Sequence, residues 1–238
     1  MTPELSVVVL CYKARETAID FVARLKDALS AVTSDWELVL VGNYNKGDTT
    51  DTTPEVVRKL AAEDSRVVAV TLEKQGWMGW DARTGLERAR GRYIAFIDGD
   101  NQMPPEDVVR VFTTLRESDY DMVTTYRVQR GDGPFRMFQS LGYNLIFNCL
   151  FPGSGVRDVN SKPKIFRREL FDKLKLTSDD WFLDAEIVIQ VRRLKARVGQ
   201  IPTVFRSSEA RSSMVKLTAI WEFVKNLLRA RLREFTGR

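Results

Sequence analysis

Residues 93–102 carry the most informative pattern in the sequence, Tyr93-Ile94-Ala95-Phe96-Ile97-Asp98-Gly99-Asp100-Asn101-Gln102. An apolar run of this length is typical of a buried strand, and here it ends in two aspartates separated by one glycine. Open α/β sheets bind ligands in the crevice beyond the carboxyl ends of their strands. We therefore expect Asp98 and Asp100 to face a ligand site, on one side of the strand if it continues, because side chains alternate along a strand.

Two carboxylates in this position predict a site for a hard divalent cation. Mg²⁺ usually takes one or two protein carboxylates together with phosphate oxygens and water. Asp98 and Asp100 are thus candidate ligands of Mg²⁺ or Mn²⁺, and Gly99 would let a diphosphate approach the backbone. The triplet alone fits a simple acidic turn about as well, so its interpretation depends on the rest of the chain.

The composition narrows the class of protein. The chain has 238 residues and no low-complexity linker, so we expect one large domain. Histidine is absent, which excludes Ser-His and Cys-His catalysis and leaves acid–base work to carboxylates. Cys11 and Cys149 lie in apolar segments and are predicted to be buried free thiols. No apolar run reaches about 18 residues and Met1–Glu4 lacks a basic region, so neither a transmembrane helix nor a signal peptide is expected.

Positive charge is concentrated at the C-terminus. Residues 211–238 hold seven basic and two acidic residues, a net charge of +5 that equals the excess of the whole chain. Helical spacing predicts an amphipathic helix over 217–235. Its apolar stripe is formed by Leu217, Ile220, Trp221, Val224, Leu227 and Leu228. Such a helix either packs on the preceding domain, 1–210, or lies on an anionic membrane surface, and we expect the second. No aromatic strand motif accompanies it, so nucleic acid is not an expected partner.

The rest of the chain alternates between strands and helices. Apolar runs predict strands at 5–10, 36–41, 67–72, 122–126 and 198–205, and a further strand after the loop that begins at residue 158. Helical spacing and start and stop signals predict helices near 21–29, from 54, and at 82–89, 104–116, 134–151, 168–174 and 181–194. This alternation predicts a doubly wound α/β sheet of parallel strands flanked by helices.

Four stretches carry a resemblance to a known family. They are Ser6–Glu16, Gly76–Gly91 (G-W-M-G-W-D-A-R-T-G-L-E-R-A-R-G), Ile97–Glu106 (I-D-G-D-N-Q-M-P-P-E) and Trp181–Ile187 (W-F-L-D-A-E-I). In this order the chain resembles a family 2 glycosyltransferase of the GT-A fold over residues 5–228, most closely the dolichyl/polyprenyl-phosphate mannosyltransferase branch. The resemblance implies a Rossmann-like mixed sheet flanked by helices, with 1–210 as the catalytic domain and 211–238 as a basic amphipathic helix.

The resemblance also implies a reaction and a set of site residues. A hexose would pass with inversion from a nucleotide-diphospho-sugar, of the GDP-mannose or UDP-glucose type, to a polyprenyl phosphate, with Mg²⁺ or Mn²⁺ as cofactor. Metal ligands would be Asp98, Asp100 and Gln102. Catalytic residues would be Asp100, Lys164, Asp184 and Glu186. Donor and phosphate contacts would come from Cys11, Tyr12, Lys13, Glu16, Asn43, Gly76, Asp98, Gly99, Gln102, Arg206 and Arg211.

The sequence departs from the family pattern at several of these positions. Where the family opens with Pro-x-Tyr-Asn-Glu, this chain reads Cys11-Tyr12-Lys13-Ala14-Arg15-Glu16. Where the family has Asp-Asp-Gly-Ser after the second strand, this chain reads Gly42-Asn43-Tyr44-Asn45. Asn43 can bind a base or ribose by hydrogen bonds but carries no charge, so the base preference stays open. Lys164 replaces the family arginine and would hold a phosphate only as a point charge.

The acceptor divides the functional hypotheses. A hydroxyl acceptor needs a general base, for which the candidates are Asp179, Asp180, Asp184 and Glu186, whereas a phosphate acceptor needs only cations that position it. The cations on the proposed acceptor side are Lys162, Lys164, Arg206 and Arg211, with the choice between the two arginines left open. They favour the polyprenyl phosphate over a soluble polyol or saccharide. A non-catalytic membrane-binding protein is the third alternative. We expect a peripheral protein on the cytoplasmic face of the membrane, with a second copy or a membrane protein as a further candidate partner.

Overall fold

The computed structural model describes residues 2–131, 134–206 and 217–236. The strands are β1 (Leu5–Leu10), β2 (Trp36–Val41), β3 (Val67–Val70), β4 (Tyr93–Asp98), β5 (Met122–Arg130), β6 (Lys164–Arg167) and β7 (Val198–Phe205). The helices are α1 (Thr17–Ser30), α2 (Thr53–Glu63), α3 (Met78–Leu86), α4 (Asp107–Arg116), α5 (Pro134–Leu150), α6 (Arg168–Phe171), α7 (Leu183–Arg193) and α8 (Leu217–Thr236). The alternation of strands and helices predicted from the sequence is confirmed.

All seven strands form one sheet in the order β3-β2-β1-β4-β6-β5-β7. The first four strands of this order run parallel. β6 is antiparallel to both β4 and β5, and β5 is parallel to β7. The expectation of a purely parallel sheet is therefore wrong, and the mixed sheet that the family resemblance implied is confirmed. The reversal at β6 matters for the site, because β6 begins at the edge where β4 ends.

The sheet is buried on both faces, as the continuous apolar runs of its central strands require. Val7 and Val9 of β1 pack in a core with α1 and α4, while Val8 and Leu10 pack in a second core with α3 and α7. A third core joins α5, α7 and α8 through residues such as Phe147, Val188 and Leu227. Among the helices of the described ranges, none has both the length and the apolar content needed to cross a bilayer.

Several local expectations need correction. Helix α3 begins at Met78 instead of Ala82, because the amides of Trp77 and Trp80 donate to the carbonyl of Asp179 and start the helix earlier. Cys149 lies on the exposed side of α5 and is not buried, whereas Cys11 is buried as predicted, and both are free thiols. The predicted stripe of α8 divides, since Leu227 is fully buried and Leu228 is 47% exposed.

Candidate functional site

A cluster of four charged side chains lies at the edge of the sheet where β4 ends. The ammonium of Lys162 lies 3.1 Å from Asp98 Oδ2 and 3.2 Å from Asp184 Oδ2. Lys164 Nζ lies 2.5 Å from Asp184 Oδ1 and also donates to the carbonyl of Ser161. We call Asp98, Lys162, Lys164 and Asp184 the Asp–Lys cluster. It connects the predicted metal motif to the predicted acidic helix start.

The direction of β6 assembles this cluster. Phe96 of β4 pairs with Lys164 of β6 in antiparallel register, so the start of β6 lies beside the end of β4. Asp184 reaches the same point from the first turn of α7. Below Lys162, the Thr125 hydroxyl donates to the Lys162 carbonyl and bonds Ser161 Oγ, which fixes the segment in front of β6. Strand order and register thus bring together residues that are 86 positions apart in sequence.

The electrostatics of the cluster keep Lys162 and Asp184 charged. Burial opposes ionisation of Asp184, but the attraction of Lys162 and Lys164 outweighs it and lowers the pKa of Asp184. Burial also opposes the charge on Lys162, and the pull of Asp184 and Asp98 outweighs it and raises the pKa of Lys162. Burial lowers the pKa of Lys164. Asp184 is therefore a buried carboxylate held between two amines.

Lys164 does not lie where the acceptor hypothesis needs it. Its side chain is fully buried and its amine is bonded to Asp184 and Ser161. A phosphate could reach it only by displacing those partners from a site closed to solvent, which is costly. The expectation that Lys162 and Lys164 contact the acceptor is therefore corrected. Both lysines are buried and pair with carboxylates at the sheet edge.

The metal motif continues into a tight loop after β4. The Asp100 Oδ1 atom accepts a hydrogen bond of 3.1 Å from the amide of Gln102, and Asn101 between them has a φ of +59°. The amide of Arg206, at the end of β7, donates to the Gln102 carbonyl at 2.8 Å, and the Arg206 side chain is exposed. The backbones of Gln102 and Arg206 are thus adjacent, whereas Arg211 falls outside the described residues.

The candidate metal ligands at this edge suit a cation that binds together with further ligands of its own. No group of three or more Asp, Glu or Cys that could hold a metal occurs within residues 2–131, 134–206 and 217–236. Two carboxylates with a neighbouring glutamine match Mg²⁺ or Mn²⁺ that takes its remaining ligands from water and phosphate. Asp98 remains 31% exposed despite its bond to Lys162. The residues therefore fit a metal–diphosphate complex better than a permanently held ion.

The loop after β1 brings aromatic and charged groups to the same edge. The hydroxyl of Tyr12 accepts a hydrogen bond of 3.0 Å from Asn45, and Lys74 Nζ lies 4.3 Å from the centre of the Tyr12 ring. Lys13 is exposed and pairs with Asp48 at 2.9 Å; this pairing lowers the pKa of Asp48 to about 2. Tyr12 and Lys13 thus lie at the carboxyl ends of β1 and β2, and their contact with a donor stays a prediction.

Asn43 occupies a different environment from the one expected. Its side chain is fully buried; its amide nitrogen donates to Asp81 at 2.9 Å and to Thr84 at 3.1 Å, and its oxygen accepts from the Leu72 amide. Contact with a base would require it to exchange these bonds. The buried ion pair of Asp81 with Lys74 is not predicted from the sequence. Burial lowers the pKa of Lys74 and raises that of Asp81.

Three of the predicted contact residues have a packing role. The thiol of Cys11 is fully buried, and a Cβ at Gly99 would lie 2.9 Å from Val9 Cγ1 and 3.4 Å from Cys11 Sγ. A Cβ at Gly76 would lie 3.0 Å from both the Cβ and the carbonyl oxygen of Asp179. These glycines are needed for close approach of neighbouring segments, so their presence does not depend on a bound diphosphate.

The acidic residues around the start of α7 are also engaged. The Glu186 carboxylate accepts hydrogen bonds from the amides of Thr177 and Ser178 and from the Thr177 hydroxyl. Asp180 accepts from the Phe182 amide at 2.8 Å, in the turn that precedes α7. Asp179 pairs with Arg83. Glu16, at the start of α1, accepts a bond of 3.2 Å from the Thr52 hydroxyl. Glu186 therefore holds the loop that carries the other two aspartates.

Comparisons with known proteins agree with this architecture. The family described as Glycosyl transferase family 2 matches residues 6–177. The chain is 27% identical over 229 residues to dodecaprenyl-phosphate galacturonate synthase of Rhizobium johnstonii. This match covers 94% of this chain and 65% of the relative. It is 29% identical over 172 residues to undecaprenyl-phosphate 4-deoxy-4-formamido-L-arabinose transferase of Pseudomonas syringae pv. syringae, which covers 71% of this chain and 49% of the relative. The chain thus spans about half to two thirds of the length of these relatives.

Solved structures show the same fold. Glucosyl-3-phosphoglycerate synthase from Mycobacterium tuberculosis, crystallised with UDP, matches with a TM-score of 0.69 at 20% identity, over 99% of this chain and 80% of that one. Mannosyl-3-phosphoglycerate synthase from Rubrobacter xylanophilus matches with a TM-score of 0.71 at 17% identity, over 98% and 74%. The GT-A fold expected from the sequence is confirmed. With the family match covering more than half of the chain, the protein belongs to glycosyl transferase family 2.

Proposed function

We propose that the protein is a metal-dependent, inverting glycosyltransferase that moves a hexose from a nucleotide-diphospho-sugar to a polyprenyl phosphate. The observation that carries the proposal is the position of Asp98 and Asp100 at the carboxyl end of β4, next to the Asp–Lys cluster. The names of the two relatives given above each join a polyprenyl phosphate to a sugar: dodecaprenyl phosphate with galacturonate in the first, and undecaprenyl phosphate with 4-deoxy-4-formamido-L-arabinose in the second. A crystal of the M. tuberculosis synthase holds Mn²⁺ and UDP, which supports a metal and a nucleotide at the corresponding edge.

Different residues at the carboxyl end of the sheet would bind different parts of the sugar donor. Tyr12 offers a ring and a hydroxyl for the nucleoside, and Lys13 offers an exposed ammonium for a phosphate. Asp98, Asp100 and Gln102 would hold the metal. Mg²⁺ or Mn²⁺ bound there supplies a Lewis acid for the departing diphosphate. Asp184 would orient the ammonium groups of Lys162 and Lys164 and so fix the electrostatic field at the sugar.

The engagement of the acidic residues favours a phosphate acceptor. A hydroxyl acceptor needs a free carboxylate as general base within hydrogen-bond reach. Asp184 is held by two buried lysines, Glu186 by the 177–178 amides, Asp180 by the start of α7 and Asp179 by Arg83. A phosphate is already an anion and needs positioning only, for which Arg206 is exposed beside Gln102.

A transfer assay tests the reaction. The protein would be incubated with radiolabelled GDP-mannose, UDP-glucose or UDP-galacturonic acid, Mn²⁺, and either undecaprenyl phosphate or undecaprenol. We expect label in the lipid phase with undecaprenyl phosphate and none with undecaprenol. Equal transfer to both lipids, or transfer only to a soluble polyol or saccharide, contradicts the proposed acceptor.

We predict weak discrimination between nucleoside bases. Asn43 stands where the family has an acidic residue, and its amide is used by Asp81 and Leu72. GDP and UDP should therefore bind within about a hundredfold of each other, a difference of ~2.7 kcal/mol. Thermal shifts with GDP, UDP, CDP and ADP in the presence of Mn²⁺ measure this, because stabilisation follows affinity. A preference of several thousandfold for one base would place specificity in other residues.

We further propose that exposed apolar side chains of α5 and α8, two helices that pack against each other, contact the membrane. Phe138, Leu141 and Leu145 are 58–68% exposed on one side of α5, and residues 137–150 contain no charge. Leu228 and Leu232 are 47% and 63% exposed on α8, which packs against α5. A large exposed apolar patch marks a membrane or protein contact.

The charges beside this surface favour a bilayer. Lys225, Arg229 and Arg233 are exposed on the same side of α8 as Leu228 and Leu232, and basic residues near an anionic bilayer contribute about 1 kcal/mol each. A dimer through this surface would bring two basic rims together. The helix α8 contributes as part of a packed domain, because Leu227 is buried and Glu234 pairs with Arg192, Arg193 and Arg231.

Flotation with phosphatidylglycerol vesicles tests this surface. We predict that Leu145→Glu/Leu232→Glu abolishes the flotation of the wild-type protein at low salt, since each change places a carboxylate in the apolar patch. Ile19→Glu/Leu72→Glu is the control matched in charge, because Ile19 and Leu72 are 44% and 43% exposed outside α5 and α8. Equal flotation of both variants contradicts the proposal. A concentration-dependent dimer in gel filtration that Leu145→Glu disrupts would assign the surface to a second copy.

A further inference from the structure

Lys162 is the member of the Asp–Lys cluster that touches the candidate metal site directly. Its side chain is 5% exposed and its ammonium lies 3.1 Å from Asp98 Oδ2. The same ammonium lies 3.2 Å from Asp184 Oδ2. The ammonium thus occupies one oxygen of a carboxylate that is also a candidate ligand of a divalent cation.

An ammonium and a divalent cation compete for such a carboxylate. Like charges that lie within a few ångströms of each other in a partly buried site repel strongly, because little water screens them. Lys162 need not leave the site when Asp98 turns to a metal, because Asp184 still holds it. Asp184 in turn keeps its second partner, Lys164, 2.5 Å from Oδ1. The cluster can therefore release Asp98 without stranding a buried charge.

We propose that Lys162 is a resident cation of the metal site, which holds Asp98 until a metal–diphosphate complex displaces it; this rests on the proposed metal-dependent function. In the protein without donor, Lys162 weakens the binding of a bare divalent cation. A diphosphate brings negative charge that offsets the repulsion, so metal and donor bind together. Lys162 acts through Asp98 and is a positioning residue.

Titration with Mn²⁺ alone, followed by the loss of the free-ion EPR signal, tests the first half of the proposal. Lys162→Met removes the charge and keeps most of the volume, and we expect it to tighten Mn²⁺ binding at least about tenfold. Lys26→Met makes the same change at a lysine that pairs with Asp64 on the far side of the domain, and should leave the affinity within about twofold. Equal affinities of wild type and Lys162→Met overturn the proposal.

A measurement on the wild-type protein guards against a variant that fails to fold. The ¹⁵Nζ resonances of buried lysines are followed by NMR, with Lys162→Arg to assign the signal. We expect the Lys162 resonance to shift when Mg²⁺ and inorganic pyrophosphate are added together and to stay in place with Mg²⁺ alone. No shift with the pair, or the same shift with Mg²⁺ alone, overturns the proposal. Neither readout depends on sugar transfer. If the protein passes both tests but shows no transfer activity, the proposed reaction is wrong while the proposed role of Lys162 stands.

Discussion

Asp100→Asn is expected to lower kcat for sugar transfer by about 10³-fold, which corresponds to ~4 kcal/mol of transition-state stabilisation. The substitution keeps the size of the side chain and its capacity to accept the Gln102 amide bond of 3.1 Å, but it removes the charge that a divalent cation needs. The loss should therefore fall on catalysis and not on folding, and the melting temperature should stay within about 2 °C of wild type.

The control for this prediction is Asp119→Asn, because the Asp119 side chain is 94% exposed on the surface near Arg197. It loses the same charge far from the site and should retain wild-type kcat. Rates would be measured across Mn²⁺ and Mg²⁺ concentrations and with EDTA. Wild-type turnover of Asp100→Asn in EDTA would show that the carboxylate pair has no role in binding metal.

The donor side of the site could be located from the sequence because local patterns determine it. The apolar run of β4 is buried on both faces, so its end had to lie at an edge of the sheet, and Asp98 follows directly. The loop with Tyr12 and Lys13 follows β1 for the same reason. Both strands are continuous runs of six residues, and strand ends in a parallel arrangement share one edge.

The Asp–Lys cluster could not be derived in this way. Strand β6 has only four residues, and nothing in Lys164–Arg167 indicates whether it runs parallel or antiparallel. The antiparallel direction decides that Lys162 meets Asp98 and that both lysines meet Asp184 instead of an acceptor. Likewise, the resemblance placed Asn43 at the nucleoside, and only the structure reveals Asp81 on α3 as its partner. Pairing of buried charges depends on strand order and register, which sequence spacing does not contain.

The role of Asp184 follows from this difference. As a general base it would be expected to matter for catalysis alone, whereas its place between two buried lysines makes it important for stability. Removal of one partner from a buried ionic group costs about 3–5 kcal/mol, because charges are left without compensation. Asp184→Asn is therefore expected to lower the melting temperature by about 10 °C in a chain of this size, in addition to any effect on transfer.

Two further variants separate this explanation from a general sensitivity of the core. Asp184→Asn/Lys164→Met removes one of the two amines as well and should recover a large part of the loss, since Lys162 keeps Asp98 as its partner. Asp172→Asn breaks the exposed pair with Arg168 and should shift the melting temperature by no more than about 2 °C.

Acid lowers the stability of the wild-type protein through Asp184. The pKa of Asp184 is lower in the folded state, so its contribution is present above the unfolded-state pKa and is lost as the pH falls through the folded-state pKa. Calorimetry of the single variant should show a smaller loss of stability on acidification than wild type; an unchanged pH dependence, or a double variant no more stable than Asp184→Asn, would mean that the lysines do not hold Asp184 as an ion.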